Sequence, residues 1–191
     1  MSPRTEQQYE DIRESRRLAI MQAGLEMFAK HSIETASIAL IAQHAGISKG
    51  LIYNYFDNKE SLILAIVMDG LRKFTALAPE LTGKTMTKPE IIQYIERTFS
   101  LLENHVSYWK LYFSIVLHPA VMKMAEPHLQ EAILPVVDML TGYYTDQGVA
   151  DPSAQALFLG SVLDGISLNY LVNPDLYPLQ TIKEIIIQKL I

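Results

Sequence analysis

Two sets of residues in this chain could carry out covalent or metal chemistry. Gly46-Ile47-Ser48-Lys49-Gly50 has the G-x-S-x-G spacing of a hydrolase nucleophile elbow, where a strained turn between strand and helix exposes a serine hydroxyl. The only segment that could supply the strand is Ser37 to Ala42, and no parallel sheet follows. A serine esterase using Ser48 therefore stands only as an alternative. His31, His44, His105, His118 and His128 form no i,i+4 pair and no H-E-x-x-H, and cysteine is absent. Zinc-type sites, thiolate catalysis and disulfides lose their ligands together. No catalytic residue, metal or cofactor is expected, and the histidines read as surface or capping groups.

The same stretch has a second chemistry, recognition of nucleic acid. Ile38 to His44 and Lys49 to Tyr55 read as two short helices capped by Ser37 and Ser48, joined by Ala45-Gly46-Ile47-Ser48. Ala42 is small enough for the helices to cross closely, Gly46 can take a left-handed turn, and Ile52 plugs the space between them. That is a helix-turn-helix, or else a plain helical hairpin in a bundle. In the first case the second helix offers its outward residues to a major groove.

The match extends beyond the turn. Phe28-Ala29, Ile41-Ala42, Ala45-Gly46-Ile47-Ser48-Lys49-Gly50, Ile52-Tyr53-Asn54-Tyr55-Phe56 and Lys59-Glu60-Ser61-Leu62 fall in an order and spacing that resembles the TetR family of bacterial transcriptional repressors, over roughly residues 10–65. Ser32, Leu40 and Leu51 depart from it, standing where glycine, an acid and threonine are common. The resemblance implies DNA contacts by Ser37, Ser48, Lys49, Gly50, Leu51, Tyr53, Asn54, Tyr55 and Lys59. The two serines could equally be simple caps. Gly50 allows close backbone approach, Leu51 and Tyr53 could meet a thymine methyl or a sugar, and Asn54 could pair with a base edge. Tyr55 resembles the family's phosphate-clamping aromatic.

The elements that must position these residues are helical almost throughout. Leu18, Met21, Leu25 and Phe28 lie on one face of a helix from about Tyr9 to His31, and Ile63, Val67, Gly70, Phe74 and Leu77 on one face of another from Asp57 or Asn58 to Ala78. Pro79 to Pro89 reads as a connector. Thr87 and Glu90 fit a capping box for a helix to Asn104, and Ser107 to Leu117 makes the next. Pro127 and Pro135 predict a short piece and then a longer helix within 120–147. Helices from Asp151-Pro152 to Val172 and from Leu179 to Leu190 complete an all-α chain of about nine helices.

In its 191 residues, 49% are hydrophobic and 19% charged, with a net charge of −5, as in an ordinary globular protein. Residues 1–60 hold 7 basic against 8 acidic side chains and residues 61–191 hold 9 against 13, so any nucleic-acid footprint must be local. The start has no apolar signal core, which predicts a cytoplasmic address. Ala154 to Val172 is interrupted by Ser161, Asp164, Ser167 and Asn169 and reads as a buried helix without a membrane partner.

Between 94 and 143 the chain gathers Tyr94, Phe99, Tyr108, Trp109, Tyr112, Phe113, Met122, Met124, Met139 and Tyr143. They could be plain core. Convergent phenol and indole groups beside flexible methionines could also line an apolar pocket for a small hydrophobic or aromatic effector, and the family resemblance implies such a pocket here. All of these except Met124 are taken as its candidate lining. From Ser153 to Val172 the only charge is Asp164, and a helix apolar on every side must be covered on both faces. Phe158, Ser161, Gly165 and Leu168, with Ile182, Ile185 and Ile186 of the last helix, are the expected homodimer interface. The sequence thus predicts a helix-turn-helix domain, 1–60, an effector and dimerisation domain, 61–191, and a repressor of a palindromic operator. A helical module that binds protein and not DNA is the alternative.

Overall fold

The computed structural model describes residues 5–78 and 85–191. The first residues of the chain and most of the expected connector, including Thr82 and Gly83, lie outside them. The described residues are all-α: α1 (Glu6–Thr35), α2 (Ile38–His44), α3 (Lys49–Tyr53), α4 (Lys59–Thr75), α5 (Lys88–Asn104), α6 (Val106–Val116), α7 (Pro119–Asp146), α8 (Pro152–Val172) and α9 (Leu179–Leu190). They form two compact units, Met1–Asp69 with Ser114–Ala125, and Gly70–Phe113 with Glu126–Ile191. The division falls inside α4 and not at 60/61, and the first unit takes in a later segment.

Most helix starts follow local rules. Ser37 and Ser48 accept the backbone N–H of Leu40 and Leu51, Asp151 accepts that of Ala154, and Glu90 accepts the N–H of Thr87 at 2.7 Å. α4 begins with a box formed by Asn58 and Ser61, whose side chains bond each other's backbone N–H. α1 starts earlier than its apolar stripe suggests, because Thr5 and Gln8 make a further capping box. Its end is unusual. Ser32 has φ 66° and ψ 161°, a region that suits glycine, so α1 kinks there before Thr35.

α7 corrects the expected break. It runs unbroken from Pro119 to Asp146 with Pro127 and Pro135 inside it. Each proline removes one helical N–H and crowds the carbonyl four residues back. Those residues, Lys123 and Glu131, are exposed, so water can take the carbonyls that lose partners and the helix can bend without stopping.

The first unit's core is Ile20, Met21, Leu25 and Phe28 of α1, Ile41 of α2, Ile52 of α3 and Leu62, Ile63, Ile66 and Val67 of α4, all nearly sealed from solvent. The second is centred on Ile91, Ile95, Phe99, Leu102, Trp109, Leu140, Leu159 and Leu163. α8 is the one described helix long and apolar enough to cross a membrane. It contacts α5 and buries Ala156, Leu159, Leu163, Ser167, Tyr170 and Leu171 within the second unit, so the expected buried helix is covered on one side only.

Candidate nucleic-acid interface and effector core

α2 and α3 are held at an angle by a turn that begins where the N–H of Ile47 donates to the carbonyl of Ala42. Gly46 sits there at φ +66°, the left-handed conformation that a residue with a Cβ adopts only with strain. Ile52 is fully buried and Phe56 nearly so, so α3 is pinned by its inner face. Its outer face carries Lys49, Gly50, Tyr53 and Asn54, all exposed, with Leu51 and Tyr55 half-buried at the edges. A Cβ placed on Gly50 would meet nothing within 4 Å, which leaves the space open for a partner's backbone. The Lys49 ammonium lies 5.7 Å from the centre of the Tyr53 ring, so a cation and an aromatic edge are presented together.

Other expected contacts are placed differently. Lys59 is not an unengaged phosphate donor: its Nζ donates to the carbonyl of Ile33 at 2.8 Å and to that of Glu34 at 3.4 Å, satisfying the last turn of α1. Ser37 and Ser48 use their hydroxyls as helix caps, which leaves the oxygen's second lone pair and its proton. The elbow geometry of an esterase is not formed, because helix α2, and not a strand, precedes Ser48. His44 pairs with Glu26 at 2.6 Å and His118 with Glu34 at 3.1 Å, surface contacts of the kind expected. The hydrogen bonds from Gln22 and His44 hold the Glu26 carboxyl below its ordinary range. Among the described residues no group of acids and histidines could hold a metal ion.

In the second unit the aromatic residues do converge. Trp109 is fully buried, with Phe74, Tyr108 and Tyr112 at 4.5, 4.9 and 5.3 Å between ring centres, and Phe113 lies 5.5 Å from Tyr112. Gly70 of α4 makes this possible, since a Cβ there would stand 2.1 Å from the Tyr112 ring. Phe99, Met139 and Tyr143 are buried as well. Three of the expected polar tips are already engaged within the protein. Trp109 Nε1 donates to Leu101 O at 3.0 Å and the Tyr143 hydroxyl to Ile191 O at 3.0 Å. Tyr108 accepts from Lys73 at 3.1 Å. Burial, and then the charge of Asp164, push the Tyr94 phenol up to about 12. Met122 does not join the set: it is 40% exposed and belongs to the first unit.

α8 leaves a stripe uncovered. Leu157 is 57% exposed, Phe158 51% and Val172 81%, with Ser161 beside them, and nothing lies within 4 Å of a Cβ built on Gly165. Leu168 and Ile182 are half-buried and Ile185 is exposed. Ile186 is a correction, since it is buried in its own subunit's core and cannot serve as an interface residue. Leu157 and Val172 belong to the stripe although sequence reasoning passed over them.

Residues 20–66 match the model described as bacterial regulatory proteins, tetR family. The chain is 26% identical over 167 residues to the HTH-type transcriptional regulator BetI of Vibrio campbellii, covering 84% of this chain and 83% of that one. It is 28% identical over 86 residues to the fatty acid metabolism regulator protein of Bacillus subtilis, spanning less than half of that relative's length at 44% of each chain. The crystal structure of the transcriptional regulator FadR from Bacillus subtilis in complex with stearoyl-CoA aligns with a TM-score of 0.67 at 20% identity, covering 91% of this chain and 96% of that one.

Proposed function

From the match of residues 20–66 to bacterial regulatory proteins of the tetR family, we propose that the chain is a homodimeric, cytoplasmic repressor of that family without enzymatic activity, released from a palindromic operator by an apolar effector. The observation that carries the reading is the outer face of α3. Lys49, Gly50, Tyr53 and Asn54 are exposed on a helix whose opposite side is locked into the core by Ile52, so the reading residues are presented without freedom to collapse inward. Two such helices, held apart by a two-fold axis, would read two half-sites about one helical turn apart.

The effector would occupy the aromatic interior of the second unit. Its lining supplies rings and methionine with few unengaged polar tips, which suits a long apolar chain better than a charged metabolite. The stearoyl-CoA bound by a structural relative supports the same class. Release is a linkage: an effector that prefers a conformation with mis-spaced α3 helices weakens operator binding by the ratio of its two affinities. Selection of protein-bound duplexes from a random pool tests the first half, with an inverted repeat as the expected product. A pool with no enriched repeat would sink the reading. Quenching of Trp109, the only tryptophan, by long-chain acyl ligands tests the second.

A further inference from the structure

Residues 114–125, the corner between α6 and α7, belong to the first unit, while the chain on either side of them belongs to the second. One residue of this corner makes two bonds of different kinds. His118 precedes α7, and its carbonyl accepts the N–H groups of Val121 and Met122. Its Nδ1 accepts the N–H of Ala120 at 3.3 Å, as an N-cap side chain does, and that bond places the ring proton on Nε2. Nε2 lies 3.1 Å from a carboxylate oxygen of Glu34, to which it donates. The residue that starts α7 therefore also holds the end of α1. Val121 and Ala125, on the same side of α7 as His118, are sealed from solvent.

The place it holds lies just before the reading head. α1 kinks at Ser32, and only Ala36 separates its last residue from Ser37, the N-cap of α2. Lys59, the first residue of α4, donates to the carbonyls of Ile33 and Glu34. The Glu34 carboxyl is held below its ordinary range first by its own backbone N–H and then by the Ser32 hydroxyl, so it is an ionised acceptor for His118. α4 and α7 are thus tied at their starts to the same turn of α1. Both helices continue past the first unit, α4 beyond Asp69 and α7 beyond Ala125, and α7 goes on to supply Met139, Leu140 and Tyr143, all buried, to the second.

We propose that the His118–Glu34 bond is a coupling contact, through which a displacement of α7 by an effector reaches α2 and α3 by way of the end of α1. The inference rests on the effector-release reading above and adds to it a route that does not pass through α4. Coupling between two sites requires an element whose position both of them bias. An effector would act on the buried side chains of α7, and an operator would fix α3 and, through the turn, α2. The bond is exposed on both sides, so it modulates release and is not the whole of it.

The test measures the operator affinity of wild type, H118N, E34A and the double variant, with and without palmitate or palmitoyl-CoA as the probe, and urea unfolding of each. Asparagine keeps an acceptor for the Ala120 N–H but is too short to reach Glu34, so H118N removes the tether and leaves the cap. In wild type the probe should lower affinity. In each single variant the ratio of affinities without and with probe should shrink by about threefold, the scale of one exposed pair. The double variant should lose no more than either single one, because both remove the same contact. Affinity without probe and the urea midpoint should not change. An unchanged ratio in both single variants would overturn the proposal alone, as would losses that add in the double variant. Wild type that neither probe releases from its operator would remove the effector-release reading and this inference with it.

Discussion

On the proposed reading, single residues at α3 divide into those that would position the protein on DNA and those that would read bases. Lys49 is exposed and charged, so Lys49→Ala should weaken binding to operator and random duplex alike by a few-fold, whereas Asn54→Ala should flatten preference at one base pair of each half-site, worth about 1–3 kcal/mol if the contact is bidentate. Binding titrations against a panel of single-base operator variants distinguish the two. Asp164 illustrates a residue whose cost depends on pH. It is the only charge on α8, and the apolar neighbours that desolvate its carboxyl raise it above the ordinary aspartate range even though the side chain is exposed. A folded-state value above the unfolded one means that its contribution is fully favourable below the unfolded value and is lost as pH rises through the folded one. Asp164→Asn should therefore unfold at higher urea than wild type at pH 7.5, with the gap closing as pH falls toward 4. A gap that is independent of pH would show that the charge is not the cause.

At the scale of elements, the kink at Ser32 is the most informative feature. A serine at φ 66° and ψ 161° is held in a conformation that costs about 1–3 kcal/mol for a residue with a Cβ, partly offset here by its hydroxyl's contacts with Thr35. Ser32→Gly should raise stability by about 1 kcal/mol in chemical denaturation, and Ser32→Ala should lower it, since alanine keeps the strain and removes the hydroxyl. The departure from the family's common glycine was visible as a residue type in the sequence. Its consequence was not, because a backbone conformation is set by where α1 must end against Lys59 and α2. α7 is the converse case. Its two prolines argue for a break by local rules, and the helix continues because the affected turns face water.

At the scale of the molecule, Leu157, Phe158 and Val172 stand exposed along one side of α8, interrupted by Ser161 and Asp164. A symmetric pairing of this face, with Gly165 allowing close approach, would build the dimer and set the spacing of the two α3 helices. Leu157→Glu combined with Phe158→Glu should give a monomer by light scattering, with unchanged helical circular dichroism and operator binding abolished along with the second half-site. These positions suit the test because both are exposed in one chain, whereas a charge at the buried Ile186 would unfold the subunit. A dimer that survives both substitutions would place the interface elsewhere.

Local chemistry made the helices, their caps and the helix-turn-helix legible in the sequence: periodicity marks a buried face, Ser37, Ser48, Thr87 and Asp151 mark starts, and Gly46 marks the turn between them. The phase of α8 was not legible, because a helix apolar on all sides carries no period to show which side faces its own subunit. The exclusion of Met122 from the aromatic set and of Ile186 from the open face, and the engagement of Trp109, Tyr143 and Lys59 with backbone carbonyls, were likewise decided only in three dimensions. Each depends on an interaction between residues that composition and spacing rank alike, and only the packed fold says which of them already has a partner.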